Sequence, residues 1–377
     1  MNDHLSRPMA LAFLGDPNSV HTRRWITFFA ERGHRIHVLV PGDQPLDPGL
    51  DERIHVERFV AYPRMPVRGL GGLATRRSLR RALGRVSPQI LHAHSLTRYG
   101  WMAHACGFRP LVISVWGSDV LRAEQTSWWT RLRSGRALAA AALVTAVSRP
   151  LADRAIRLGA HPDRVRIVQF GVDPERFSPG PVPEDLRRSI GVEGKRVVLA
   201  PRAIRPLYRQ TVVVRALAQL PDDVVVVFSE GGQDPAERAR IEAQAAVLGV
   251  TGRLRFVPPI PHDEMPAHYR MADVVVSVPE SDAFPVTALE AMACGIPIVM
   301  SNLPSALEGL GAVDPGALVP VGDADATAAA ILARLGLPAD ERGALAARLR
   351  DAAIARGDTR TNLQAMEAEY RRLVGAG

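Results

Sequence analysis

Lysine is nearly absent from this 377-residue sequence: Lys195 is the only one, so arginine carries almost all of the positive side of a +8 net charge. Cysteine is just as scarce. Cys106 and Cys294 are the only two, too few for a disulfide framework or a four-thiolate metal site, and both read as reduced. Long hydrophobic runs are missing too. The longest nearly uncharged one, Ala137 to Val147, falls short of the roughly 20 apolar residues a membrane-crossing helix needs. At the amino end, Asp3, Arg7 and Pro8 precede a short apolar run that meets Gly15 and Asp16, with no signal-peptide core. The expected location is therefore the cytoplasm.

Hydrophobic residues make up 47% and charged residues 23%, the composition of an ordinary globular chain long enough for two buried cores. The arginine surplus suits anionic partners such as phosphates, nucleotides or lipid head groups without choosing among them. Short β-branched runs alternate with helical patterns, which predicts an α/β class with parallel sheets and crossover helices. Strands are expected near Ala10–Leu14, Arg35–Val40, Gln89–His92, Leu111–Val115, Leu143–Val147 and Arg166–Gln169. After the turn-forming SPGPVP at Ser178 to Pro183 the alternation begins afresh, with strands near Arg196–Pro201, Val224–Phe228, Leu254–Val257, Asp273–Val278 and Pro297–Met300. The reading is two doubly wound domains, residues 1–180 and 181–358, with residues 359–377 a last helix that crosses back or stays. Ligands of such sheets bind beyond the carboxyl ends of the strands, so the crevice between the halves is the expected site.

The most informative stretch is ESDAFPVTALEAMACGIP, Glu280 to Pro297, directly after the strand Asp273–Val278. Pro285 is expected near the first turn of the helix that follows, where a missing N–H does no harm. The amides of Val286 and Thr287 then point out of the helix start and suit a phosphate. A lone acidic pair such as Asp282 and Glu290 usually means a helix cap and a solvated helix residue; here the flanking residues speak for a ligand. The stretch resembles the motif of two glutamates separated by seven residues in retaining GT-B glycosyltransferases of family 4. The resemblance implies that Asp282, in place of the first glutamate, touches the donor sugar and that Glu290 binds the nucleotide ribose. It also implies that the backbone from Ala283 through Phe284, Pro285, Val286 and Thr287 holds sugar and diphosphate. The family usually has Gly, Phe, Gly where this chain has Ala283, Phe284 and Pro285.

Further matches extend the likeness over nearly the whole chain. Arg202, at the exit of the strand Arg196–Pro201, matches the family arginine that neutralises the diphosphate. The lysine expected five residues on is Leu207, so the role falls to Arg205 or Arg209, and Glu230 joins the donor set that the likeness implies. In the first half, LGDPNSVHTRRW is similar to the family's glycine-bearing first loop: Gly15 faces the donor, while Asp16, Asn18 and His21 face the acceptor and Ser19 caps the helix. In LHAHS, His94 and Ser95 are expected to open toward the same crevice. In VISVWGSDV, Trp116 stands where many members have a histidine, with Asp119 three residues on. FGVD at Phe170 to Asp173 is similar to the family's Asn-Gly-Val-Asp.

Two lookalikes are set aside. Asp323 and Asp325 imitate a metal-binding aspartate pair but precede an alanine-rich helix, where an aspartate caps. Gly69, Gly71 and Gly72 imitate a dinucleotide loop without the strand that should precede it. Arg76, Arg77, Arg80, Arg81 and Arg85 decorate a helix with a Leu79, Leu83 and Val86 stripe; this is either a solvated face or a peripheral contact with the inner face of an anionic membrane. No nucleic-acid-binding module is present. The resemblance implies a metal-independent enzyme that uses a UDP- or GDP-linked sugar as co-substrate and no resident cofactor. Catalysis is expected from Asp282, Arg202, Arg205 and Glu290. A sugar-nucleotide epimerase of the same fold and a transfer-inactive nucleotide-sugar binding subunit remain as alternatives.

Overall fold

The computed structural model describes residues 7–61, 70–121 and 126–375. The chain forms two compact units, Met1–Gln169 with Arg360–Gly377, and Phe170–Thr359. The first contains β1 (Ala10–Leu14), β2 (Arg35–Pro41), β3 (Ile54–Phe59), β4 (Ile90–His94), β5 (Leu111–Val115), β6 (Leu143–Ala146) and β7 (Val165–Ile167). They make one sheet in the order β3-β2-β1-β4-β5-β6-β7. Every neighbouring pair is parallel, with Ala10 opposite Arg35 and Leu11 opposite Ile90. The second unit has β8 (Arg196–Ala200), β9 (Val224–Ser229), β10 (Leu254–Val257), β11 (Val274–Ser277), β12 (Ile298–Ser301) and β13 (Leu318–Val319), ordered β10-β9-β8-β11-β12-β13 and again all parallel.

Helices on both faces explain why strands such as ALAFL and VVVVFS read as unbroken apolar runs rather than alternating ones. In the second sheet Val197, Leu199, Val225, Val227 and Val275 enter one core, and their neighbours Val198, Ala200, Val224, Val226, Val274 and Val276 enter the other. The strand order reverses between β1 and β4 and again between β8 and β11. These are the switch points where strand ends part and leave room for ligands, and the residues singled out above follow these four strands or their neighbours.

One expectation needs correction, and two strands are added to those expected. The division falls at Gln169/Phe170, before the SPGPVP turn, because residues 170–180 are tied into the second unit. The Val172 amide donates to the Gly357 carbonyl at 2.6 Å and the Thr359 amide to the Val172 carbonyl at 3.1 Å, while Arg350 donates to the carbonyls of Pro174 and Phe177 at 3.0 Å each. Gly171, at φ +79°, packs so closely that a Cβ would stand 2.7 Å from Thr359. Strands β3 and β13 were not expected: β3 is a half-buried edge strand with a polar middle, and β13 has two residues. Of the glycine lookalike set aside above, Gly69 lies outside the described residues and Gly72 sits in the first turn of the helix Leu70–Val86.

The last helix, Thr359–Gly375, packs on the first unit. Leu363, Met366 and Tyr370, spaced three and four apart, enter the core that holds Phe13, Phe29 and Val38. Tyr370 Oη lies 2.5 Å from His92 Nδ1, and Glu367 is bonded by Arg32, Arg371 and His34.

Candidate active site

β8 ends at Ala200, and Arg202 follows Pro201. Its guanidinium lies 3.0 Å from Asp282 Oδ2, the two side chains being 16% and 14% exposed, and stacks over the Tyr208 ring at 4.2 Å. Buried Gln210 fixes this turn by donating to the carbonyls of Arg202 (2.9 Å) and Ala203 (3.3 Å). Asp282 itself is set by the Ala283 amide, which donates to Oδ1 at 2.7 Å, and by the Ser305 hydroxyl, which donates to its carbonyl at 2.9 Å. One carboxylate is thus steered by a guanidinium on one oxygen and a backbone amide on the other. The guanidinium retains donors beyond that contact.

The loop then takes an unusual path. Phe284 adopts φ +76° with its ring buried against Gly309, where a Cβ would collide with the ring. Pro285 is the residue just before the helix Val286–Ala293, with φ −72° and ψ 147°, and its carbonyl accepts the Ala288 amide at 3.0 Å. No side chain caps this helix start, and its first turn carries no acidic residue. The amides of Val286 and Thr287 precede the first intrahelical bonds, and Thr287 Oγ1 is shielded without a hydrogen-bond partner. An uncapped start of this kind favours an anion.

Glu290 lies within that helix at 3% exposure among Ala288, Leu289, Ala291 and Met292. Tyr269 donates its hydroxyl to Oε2 at 3.0 Å, and His262 Nε2 is 3.0 Å from Oε1. Burial, reinforced by the Glu290 charge, pushes the Tyr269 phenol well above its usual range, so it stays a donor. Arg209 has a left-handed backbone (φ 49°) and reaches Glu280 Oε2 at 3.1 Å, and the Glu280 amide donates to the Leu207 carbonyl at 2.9 Å. The loops after β8 and β11 are thereby joined twice. Arg205 turns instead to the Gly232 carbonyl at 2.8 Å, and Glu230 pairs with Arg238.

The expected residues of the first unit do mostly local work. Gly15 passes so close to β4 that a Cβ would stand 3.1 Å from His94 Cβ. Asp16 accepts from the Asn18 amide (3.0 Å) and Gln44 (2.6 Å); Asn18 donates to the Pro45 carbonyl and accepts from the Asp47 amide, both at 2.9 Å. Together they tie the loops after β1 and β2. Ser19 stands at the start of the helix Val20–Glu31, but its hydroxyl accepts no helix amide, contrary to expectation. His94 does not open outward. It is fully buried among Phe13, Trp25 and Trp116, with Nδ1 3.1 Å from Thr22 Oγ1, and burial drives its pKa down to about 3. Ser95 keeps a left-handed backbone, φ 83°, at the end of β4.

Asp119 is a correction of role. Its carboxylate accepts from the amides of Leu96 (2.8 Å), Gly117 (2.9 Å) and Trp116 (3.1 Å), clamping the ends of β4 and β5, and it is 7% exposed. Burial raises its pKa against the pull of those bonds. His21 and Trp116 remain part-exposed and meet edge to face at 5.7 Å. Asp323 accepts the Ala326 amide at 2.9 Å as a helix cap, and among the described residues no group of three or more His, Cys, Asp or Glu is placed to hold a metal.

Sequence reasoning missed Tyr208, Gln210, His262, Tyr269 and Ser305. None belongs to a motif, and Tyr269 reads simply as the apolar face of the helix Met265–Met271.

Both units match glycosyltransferase family models: residues 183–355 the one described as glycosyl transferases group 1, and residues 10–148 the one described as glycosyl transferase 4-like. The D-inositol 3-phosphate glycosyltransferase of Mycobacterium tuberculosis strain F11 is 33% identical over 223 residues, 58% of this chain and 45% of that protein. Its namesake from Acidothermus cellulolyticus is 34% identical over 155 residues, 38% of this chain and 34% of that protein. The matches thus span less than half of these relatives. Among solved structures, Anabaena HepE in complex with UDP and glucose has a TM-score of 0.82 at 22% identity, covering 96% of this chain and 99% of that one. Sucrose-phosphate synthase from Thermosynechococcus elongatus has 0.84 at 22%, covering 97% and 99%. The fold is GT-B.

Proposed function

Because the chain belongs to the group 1, family 4-like glycosyltransferases, we propose that it moves a sugar from a nucleotide-diphosphate donor, UDP- or GDP-linked, to an acceptor hydroxyl with retention of configuration. The observation that carries this reading is the joining of Arg202, Asp282 and the uncapped start of the helix Val286–Ala293 in one part-buried surface. Arg202 and the Val286 and Thr287 amides hold the diphosphate. Arg209, already drawn to the motif loop by Glu280, takes the place of the family lysine that Leu207 vacates. Asp282 orients the sugar hydroxyls, and Glu290, held by Tyr269, accepts from the ribose. The acceptor-side groups are His21, Trp116 and the loop after β1.

The bond between the sugar's anomeric carbon and the diphosphate oxygen breaks, and its electron pair leaves with the phosphate. The carbon passes through an oxocarbenium-like state and bonds the acceptor oxygen on the face that the phosphate left. The acceptor proton goes to that phosphate. Guanidinium and amide groups stabilise the charge growing on the leaving group, the kind of electrostatic stabilisation that contributes most in many active sites, and no metal or protein nucleophile is called on.

The test begins with a thermal-shift panel of UDP- and GDP-sugars, in which a true donor at about 100 times its Kd adds roughly 2.7 kcal/mol. Transfer assays follow with inositol phosphates, lipid-linked glycans and small natural products as acceptors. Arg202→Ala and Glu290→Ala should each lower turnover by at least about tenfold, some 1.4 kcal/mol of transition-state stabilisation, while remaining folded. Near-normal turnover in either folded variant refutes the assignment. Product formed without any acceptor means an epimerase, and donor binding without turnover means a binding subunit.

A further inference from the structure

Between Arg58 and Ala152 the chain carries fifteen arginines and only two acidic residues, Asp119 and Glu124, a larger positive excess than the +8 of the whole molecule. Asp119 is buried in its amide clamp, and Glu124 lies outside the described residues. Three helices of this segment pack side by side in the first unit, Leu70–Val86, Trp101–Cys106 and Trp128–Ala139. On them Arg76, Arg77, Arg81, Arg131 and Arg136 are exposed and form no ion pair among the described residues. Trp128 and Trp129 stand 62% exposed with their rings stacked 4.0 Å apart, and Leu132 beyond them is 38% exposed. A cavity of about 430 Å³ opens beside them between Trp101, Trp129, Leu132, Arg133 and Arg136.

Two large aromatic rings left in water beside a field of unneutralised guanidinium groups are explained neither by the core nor by the glycosyltransfer site. We propose that this face of the first unit docks on an anionic lipid surface. Trp128 and Trp129 enter the head-group zone, where the amphipathic indole ring is favoured, and the arginines of the helices Leu70–Val86 and Trp128–Ala139 clamp lipid phosphates two oxygens at a time. The charge is spread over several helices, as a planar polyanion requires. The two indole rings cover one another and leave no slot for a nucleobase between them, which a stacking platform for single strands needs.

Flotation of the full chain with phosphatidylcholine vesicles, with and without phosphatidylglycerol, tests this. Binding should require the anionic lipid and weaken as salt rises. Replacing both rings, Trp128→Ser with Trp129→Ser, should weaken it at least about tenfold, and the triple change Arg76→Glu, Arg77→Glu, Arg81→Glu by more, since each basic residue near such a surface contributes about fivefold. All these side chains are exposed, so the melting temperature should hold. Val247→Ser, a change at an 86% exposed residue of the second unit, should leave binding as it was. Equal binding to both vesicle types, no binding to either, or tryptophan variants that bind like the parent would overturn the proposal. Tighter binding to a DNA oligonucleotide or an acidic protein, indifferent to the tryptophans, would overturn it as well.

Discussion

Beside the switch point of the first sheet, Asp119, which clamps the ends of β4 and β5, and His92, inside β4, have their polar atoms taken up by neighbouring protein groups: three backbone amides for the carboxylate, and Tyr370 and Ser114 for the imidazole. At the β8/β11 switch point, Arg202 pairs with Asp282 and Arg209 with Glu280, the first three part-exposed and Glu280 exposed. The two sheets share an architecture but use polar residues at their strand ends in opposite ways. A carboxylate filled by amides has little left to offer a ligand, whereas a guanidinium pinned by a single oxygen keeps donors and gains a fixed direction. Position at a strand end therefore locates a candidate, and the partners decide what it does.

The contrast breaks most visibly at Asp119. Asp119→Ala orphans three amides, two of them on buried residues, and should cost about 3 kcal/mol or more in urea unfolding; a loss below about 1 kcal/mol together with lost turnover would move Asp119 into the active site. Next comes acid. His94 is held neutral by burial with a pKa of about 3, and His92 is shifted the same way. In the unfolded chain both take up a proton below about 6.5, so the unfolded state binds more protons as the pH falls below that value, down to about 3 in the case of His94. Stability should then fall on acidification by about 1.4 kcal/mol per pH unit for each histidine that charges. Urea midpoints measured at successive pH values check this, and a flat profile would mean that the pair is hydrated. The smallest effects separate a working cap from an idle one. Asp323→Ala should cost about 1 kcal/mol and Ser19→Ala less than about 0.5, because only the former accepts a helix amide.

Much of the fold was legible because strands covered on both faces announce themselves as apolar runs, as VVVVFS does. Strand β3, IHVERF, escaped because an edge strand needs apolar residues only at its buried ends. The boundary escaped because a proline-rich turn looks like a linker whichever unit holds it, whereas the bonds from Arg350 and Arg270 and the one that Gly357 accepts tie residues 170–180 to the second unit. In the site, the spacing of Asp282 and Glu290 was readable from their motif, and the Arg202–Asp282 pairing was one step of inference away. His262 and Tyr269 were not readable: they reach Glu290 from a separate segment, and nothing in their own neighbourhood marks that meeting. Asp119 was misread because a buried aspartate in a glycine-bearing turn looks the same whether it receives amides or a sugar.

During synthesis the order of completion runs against the order of the sequence. The first unit leaves the ribosome early, yet the wall formed by Leu363, Met366 and Tyr370 emerges only after every residue of the second unit has been made. Until then His92 lacks its phenol, and Phe29 and Val38 face an open seam. The nascent amino-terminal half therefore stays partly unsealed until its last helix has been made.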